Sequence, residues 1–389
     1  MRISLVLFDR FEGRNELLPL VATRPVGNLR IGAYTLDQKW ALAFDAEVSF
    51  LSEEYLSSKF PLSLVSEFAL IVNAAVLPNI QLIDALKSLK LNQRLIDNNG
   101  NWIAFLTSST TRDEIITAVE TADQEEVIFD RTYDRLVYLE DIFLMNAAQI
   151  EFDTTLFKGY AKHSFNPNVY IASNTLLPDN IILDCSQGSI IIMEHAHIEA
   201  GCIIHGPAVI GAHVRVKSGT VIYPNVSIGE NSSICGELNN TVIWGNSAKG
   251  HYGYLGCAVL GEGCNLGAGT SNSNLKNDWS EVKLYSYKYN KFRNTGLLKC
   301  GVFIGDHSML GISSKINTGT VIGVGTQIAM SNFIPKFVPD FSWLTDEKSD
   351  RYDFSKFMEM MSRKAVLKKE RFTTEDREIL EYINNKQLN

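Results

Sequence analysis

The chain has 389 residues, room for two domains and a tail, and at 45% apolar it can bury a sizeable core. A formal net charge of −8 argues against a general nucleic-acid or anionic-membrane surface and leaves room for a local basic pocket that holds a phosphate. The opening run ISLVLF is closed by Asp9, too short for a signal-peptide core, and no stretch reaches membrane-span length, so a soluble cytoplasmic protein is expected.

Residues 1–150 read as α/β. ISLVLF is a first strand, and NLRIGAYTLDQKWALAF places Leu29, Ala33, Leu36, Trp40 and Ala43 at helical spacing. EVSFL and FALIVNAAV follow as strands and NIQLIDALKSLK as a helix. RLIDNNGNWIAFL is a hairpin with Asn-Gly at its turn. TRDEIITAVETA opens with Thr111 and Glu114 in capping-box register. Strands alternating with helices predict a layered, partly parallel sheet. Residues 151–189, rich in Asn, Pro and Ser, read as a connector.

From residue 190 the pattern changes. Ile192, Ile198, Ile204, Ile210, Val216, Ile222, Ile228 and Ile234 fall at every sixth position, and the rhythm returns at Ile304, Leu310, Ile316, Ile322 and Ile328. Mostly small residues stand four places after each, and glycines punctuate the corners. Period six suits neither a helix nor a hairpin. It suits a solenoid of short parallel strands with aliphatic residues stacked inside and glycine at the turns. Each buried Ile or Val contributes roughly 1.5–3 kcal/mol, so such a stack forms its own core. The solenoid is assigned to 190–334. Residues 335–389 read as an exit segment and a helical tail that docks on the solenoid or on a neighbouring subunit. The six cysteines lack CxxC spacing and read as reduced structural thiols. His195 and His213 should stack on successive coils, but no third histidine stands at a defined spacing, so they are taken as corner residues and no metal site is assigned.

The count fails over 239–258 and 271–301, which read as two excursions from the solenoid, and here the chain gathers Lys249, His251, Tyr252, Tyr254, Asn265, Asn272, Asn274 and Lys276. Loops leaving a rigid scaffold are where sites are built. Imidazole titrates near neutrality and can accept a proton from an amine or hydroxyl, Asn can orient a carbonyl, and Lys can hold a phosphate.

Gly250-His251-Tyr252-Gly253-Tyr254-Leu255-Gly256, then Asn265-Leu266-Gly267-Ala268-Gly269-Thr270, then Asn274, resemble the acetyltransferase half of the bifunctional glucosamine-1-phosphate acetyltransferase / N-acetylglucosamine-1-phosphate uridyltransferase (GlmU-like) family. The resemblance covers roughly 190–334, and the whole chain looks like a divergent, shortened branch of that family. It implies a left-handed parallel β-helix that trimerises, with acetyl-CoA and an amino-sugar phosphate bound between subunits. It also implies roles: His251 as general base with Glu237 beside it and Asn274 at the reacting amide; Lys217, Tyr254 and Asn265 on the sugar phosphate; Ala268 and Asp306 toward acetyl-CoA. Asn239 or Asn240 stands where the family has a second basic residue, which implies either weaker phosphate binding or a substitute in Lys249 or Lys276.

The N-terminal half resembles the family's nucleotidyltransferase domain less closely. It keeps Thr23-Arg24-Pro25 but lacks the Gly-rich loop and the Pro-Lys pair, and Asn73 stands where the family has a metal-binding Asp. Arg24 and Asn73 are its nucleotide candidates, with Mg2+ and UTP required only if this half is active. The expected activity is acetyl-CoA-dependent N-acetylation of glucosamine 1-phosphate, coupled to UDP-N-acetylglucosamine synthesis if the first domain works. The alternatives are a sugar-1-phosphate nucleotidyltransferase whose solenoid only assembles, and a non-catalytic scaffold.

Overall fold

The computed structural model describes residues 3–386 apart from 110, 158–159 and 164–165. Contacts divide the chain into two units. The first holds 1–14, 23–29 and 34–137; the second holds 15–22, 30–33 and everything from Tyr138 onward. The boundary therefore precedes α4 (Asp141–Asp153), which belongs with the solenoid.

The first unit is built on a six-stranded sheet in the order Val48–Leu51, Ser4–Phe8, Ala69–Asn73, Trp102–Thr107, Gln93–Asp97, Glu125–Phe129. Its first three strands are mutually parallel, and the 93–107 hairpin joins antiparallel. Val6, Phe8, Leu51, Ile71, Phe105 and Ile115 form one core cluster. The helix expected across 28–44 is shorter: α1 runs only from Leu36 to Phe44. Gly32 takes a left-handed φ of 74°, which a helix cannot continue, and Thr35 with Gln38 forms a capping box that starts the helix afresh. Helices α2 (Ile80–Lys87) and α3 (Arg112–Thr121) form as the spacing predicts, α3 with its Thr111–Glu114 capping box.

In the second unit each coil contributes short strands that pair in parallel with their equivalents one coil on. Ile192 lies against Ile210, Ile210 against Ile228, Ile198 against Val216, and Ile204 against Ile222. These side chains form one continuous buried cluster. The architecture is the expected parallel β-helix. It begins earlier than residue 190, because Asn166–Ile171 already pairs with Ile190–Ile192. It also continues past 334: Val338 pairs with Ile322 and Leu344 with Ile328, so KFVPDFSWL completes a last coil. Helix α4 packs across one face, where Asn146 accepts from the Ser227 hydroxyl at 2.9 Å and donates to Asn225 Oδ1 at 2.9 Å. The tail helices α5 (Phe354–Lys368) and α6 (Thr374–Lys386) follow, and Phe357 packs on Phe341 of this same chain's last coil.

Candidate active site

The first break in the rhythm is a shortening. Ile228 pairs with Ile243 and Ile243 with Leu260, coils of 15 and 17 residues where the preceding coil has 18. No excursion leaves the solenoid between 239 and 258; strands Glu237–Ile243 and Tyr254–Leu260 run straight through the corner. Only 271–301 is an insertion. It carries an antiparallel hairpin, Lys283–Ser286 with Lys291–Asn294, tied down by Arg293, which makes a bidentate pair with Glu140 at 2.7 and 2.6 Å.

Two polar side chains occupy inward positions at the short coils. Lys249 pairs in register with Ile234, and Asn272 with Ile316. Asn272 clamps the Gly256 peptide, accepting from its N–H at 2.8 Å and donating to its carbonyl at 2.9 Å. Lys249 is fully buried, 0% exposed, and burial pushes its ammonium down to about 8. It donates to the carbonyls of Cys235, at 3.2 Å, and His251. The expectation that Lys249 holds a substrate phosphate is thus corrected: its column points it into the prism.

His251 follows the corner at Gly250 and is exposed. Among the described residues its imidazole has no hydrogen bond. Lys217 reaches along the same corner and donates to the Gly250 carbonyl at 2.7 Å. Tyr254, half-buried with its hydroxyl pushed up by burial, accepts from Asn274 Nδ2 at 3.1 Å. Glu237 stands in register beside Tyr254 on the preceding coil and is exposed. Asn274 also donates to Cys257 Sγ at 3.4 Å, which accepts from Asn240 at 3.4 Å. Lys217 thus reaches the corner that bears His251, Glu237 and Tyr254 stand in register on the strands that follow that corner, and the Tyr254–Asn274 pair lies beside Cys257 at the next one.

Asn265 is placed on the adjoining face, in register with Ala248 and Met309. Ala268 is half-buried and its carbonyl accepts from Ser313 N–H at 2.6 Å. Asp306 is placed at a corner of the coil. It is 2% exposed and its Oδ1 accepts from Glu262 N–H at 2.7 Å, closing a corner that only glycine at 261 permits, since a Cβ there would meet that oxygen at 2.4 Å. Sequence reasoning missed the roles of Asn240 and Cys257; both take left-handed φ at successive corners, 50° and 48°, a conformation no spacing rule announces for Cys. His195 and His213 stack at 4.9 Å, and among the described residues no three His, Cys, Asp or Glu gather as metal ligands.

In the first unit, Asn73 ends the strand beside Phe8 and is fully buried; its Oδ1 accepts from Ala75 N–H at 3.1 Å. Arg24 is also buried, with Nη1 on Asn28 Oδ1 at 3.2 Å. Asp9, one residue past the first strand, accepts from Arg14 Nε at 3.0 Å, Ser52 Oγ at 2.6 Å and Val26 N–H at 3.0 Å. Asp9 and Asn73 thus sit at the carboxyl ends of neighbouring parallel strands where the strand order reverses, the usual ligand position in open α/β sheets. The residue that organises this place, Asp9, was read only as the end of an apolar run.

Residues 5–161 match the family described as sugar nucleotidyl transferase. The chain is 26% identical over 261 residues to the bifunctional protein GlmU of Wigglesworthia glossinidia brevipalpis, covering 61% of this chain and 52% of that one. It is 28% identical over 226 residues to a bifunctional sugar-1-phosphate nucleotidylyltransferase/acetyltransferase of Sulfurisphaera tokodaii, covering 52% and 56%. The chain thus spans about half the length of the curated relatives it matches. A solved UDP-N-acetylglucosamine acyltransferase of Francisella novicida aligns with 56% of this chain and 87% of its own at 16% identity, with a TM-score of 0.28. A sugar nucleotidyl transferase match thus stands at the front of the chain, ahead of a parallel β-helix carrying the His251 and Asn265 segments, and the chain is similar to bifunctional GlmU proteins.

Proposed function

We propose that the protein is an acetyl-CoA-dependent N-acetyltransferase acting on an amino-sugar phosphate, glucosamine 1-phosphate in the first instance. The observation that carries this reading is the exposed His251 imidazole, without a hydrogen bond among the described residues, at a corner that the Lys217 ammonium also reaches, with Glu237 and Tyr254 in register on the strands that follow. His251 takes the proton released as the amine becomes a nucleophile, a role worth roughly 10²–10⁴-fold in rate. Lys217 gives one N–H to Gly250 and has two more for a phosphate. Acetyl-CoA is a substrate here and supplies the acyl thioester. Exposed Phe333 and Ile312, 61% and 75% accessible, and Lys315 in register with Phe333 offer apolar surface and a cation for it on the later coils.

The site lies on an outer edge of the prism, so a neighbouring copy is what would cover it. We read the active form as a closed homotrimer. Mixing the protein with acetyl-CoA and glucosamine 1-phosphate should release free thiol, and His251→Ala should lower that rate by about 10²-fold or more with the melting temperature unchanged. No turnover on any amino-sugar phosphate would remove the reading.

A second reading, nucleotidyl transfer from UTP with Mg2+ in the first unit, is favoured by the family match over 5–161 and by the place of Asp9 and Asn73. It predicts pyrophosphate release from UTP and N-acetylglucosamine 1-phosphate that persists in His251→Ala.

A further inference from the structure

Five consecutive carbonyls run through the turn that bears His251. Backbone N–H groups take three of them: Cys235 donates to Lys249, Gly269 to Tyr252 and Glu237 to Gly253. The other two belong to the peptide planes on either side of the His251 Cα. Lys217 Nζ holds the Gly250 carbonyl, and Lys249 Nζ holds the His251 carbonyl. The shortened coil explains the gap in the ladder. Between Gly250 and Gly253, the latter at φ 126°, the chain turns off the strand path, and these two carbonyls meet no strand partner.

Lys249 is the less expected of the two clamps. Its position belongs to a column that runs Ile198, Val216, Ile234, Lys249 and resumes with Leu266, Leu310 and Ile328. An aliphatic residue would fill that slot without the cost of desolvating an ammonium. A lysine stem also fills the column, and in addition delivers three N–H donors to the corner. Burial pushes its ammonium to about 8, so it stays cationic at neutral pH.

We propose that Lys249 is a positioning residue: its ammonium, fixed on the His251 carbonyl from inside the prism, aims the His251 imidazole at the substrate without touching it. This rests on the reading of His251 as the proton acceptor. Fixing both flanking peptides narrows the φ and ψ of His251, and misplacement of a catalytic group by about 1 Å can cost up to about a hundredfold in rate.

The test compares Lys249→Met and Lys249→Gln in the full-length chain. Met fills the column and has no donor; Gln retains an N–H. Lys249→Met should unfold cooperatively at an equal or higher temperature and lose about tenfold or more in kcat, with KM for the sugar phosphate within about twofold. Lys249→Gln should lie between it and the parent. Amide hydrogen exchange over 250–253 should accelerate in Lys249→Met while the coils from 190 to 234 keep their protection. A raised KM at unchanged kcat would make Lys249 a substrate ligand and overturn the proposal. So would loss of the cooperative transition, which would make it purely structural, and so would unchanged kcat with unchanged exchange. If the parent acetylates no amino sugar, the acetyltransferase reading fails, and the exchange experiment alone decides the clamp: acceleration at 250–253 supports it, unchanged protection refutes it.

Discussion

Neighbouring glycines in the site differ in what they must do. Gly253 takes a φ of 126°, and a Cβ there would lie 2.2 Å from the Thr270 carbonyl oxygen. At Gly250 the same Cβ would meet nothing closer than Lys217 Nζ at 3.6 Å. Gly253→Ala should therefore destabilise the protein by more than about 1–3 kcal/mol in urea unfolding, and Gly250→Ala by well under that. Equal effects would show that the backbone conformation at 253 is not what the corner requires. The solenoid's surface carboxylates give a pH signature of their own. Asp184 is held at about 2, against a usual 3.8, by the Ser186 backbone N–H and then by His205; Glu199 is held at about 2, against 4.5, by the Ser218 N–H and then by Arg215. A depressed carboxyl stabilises the fold above its unfolded pKa and loses that contribution as pH falls through its folded pKa. The melting-temperature difference between the parent and Asp184→Asn with Glu199→Gln should persist at pH 7 and close between about pH 4.5 and 2. A difference constant across that window would contradict the assignment.

At the scale of elements, the inserted hairpin is held on the solenoid unit by a cluster centred on Arg293. Arg293 lies 4.0 Å over the Tyr138 ring, pairs bidentately with Glu140 and lies 3.7 Å from Glu16, which also accepts from Ser286 at 2.9 Å. Both carboxylates are buried, at 4% and 6% exposed. Removing only the cation leaves two buried charges without their partner, so Arg293→Met should cost about 3–5 kcal/mol. Adding Glu140→Gln and Glu16→Gln should recover much of that loss. A single substitution that costs under about 1 kcal/mol would mean the hairpin is held by its apolar face, where Tyr285 stacks on Phe337 at 3.6 Å.

At the scale of the whole molecule, the expected site residues divide between two faces of one prism: Glu237 and Tyr254 on one, Asn265 on the next, with His251 at the corner between them. A second copy laid against that corner would shelter the imidazole and complete the donor set. Light scattering should return about three times the 43.4 kDa chain mass, with activity falling on dilution below the assembly range. A fully active monomer would refute the shared site. Mixing His251→Ala with Asn274→Ala chains should not restore a complete site from those two residues alone, because Asn274 bonds Tyr254 within its own chain.

The sequence by itself determined the solenoid. Each coil repeats the register of the last, so a six-residue count of Ile and Val is already the list of inward contacts, and Ile192 above Ile210 above Ile228 follows from it. Local signals were equally direct: the Thr111–Glu114 box and the Asn-Gly hairpin depend on residues a few places apart. The His251 segment was legible as a candidate site because His and Tyr break the aliphatic count of the stack. Only the tertiary structure decided the rest. A lost count looks the same whether residues are added or removed, and strand pairing alone showed that the first break is a shorter coil. Lys249 had a residue type suited to a phosphate, yet its place in the column of Ile234 sent it into the core. Helix α4 and the segments 15–22 and 30–33 joined the solenoid unit, because Gly32 N–H meets Asn146 Oδ1 at 2.7 Å and Ala33 N–H meets Asp153 Oδ2 at 2.7 Å. Partners more than a hundred residues apart leave no periodic trace in the chain, because they are chosen by the packed surface and not by local spacing.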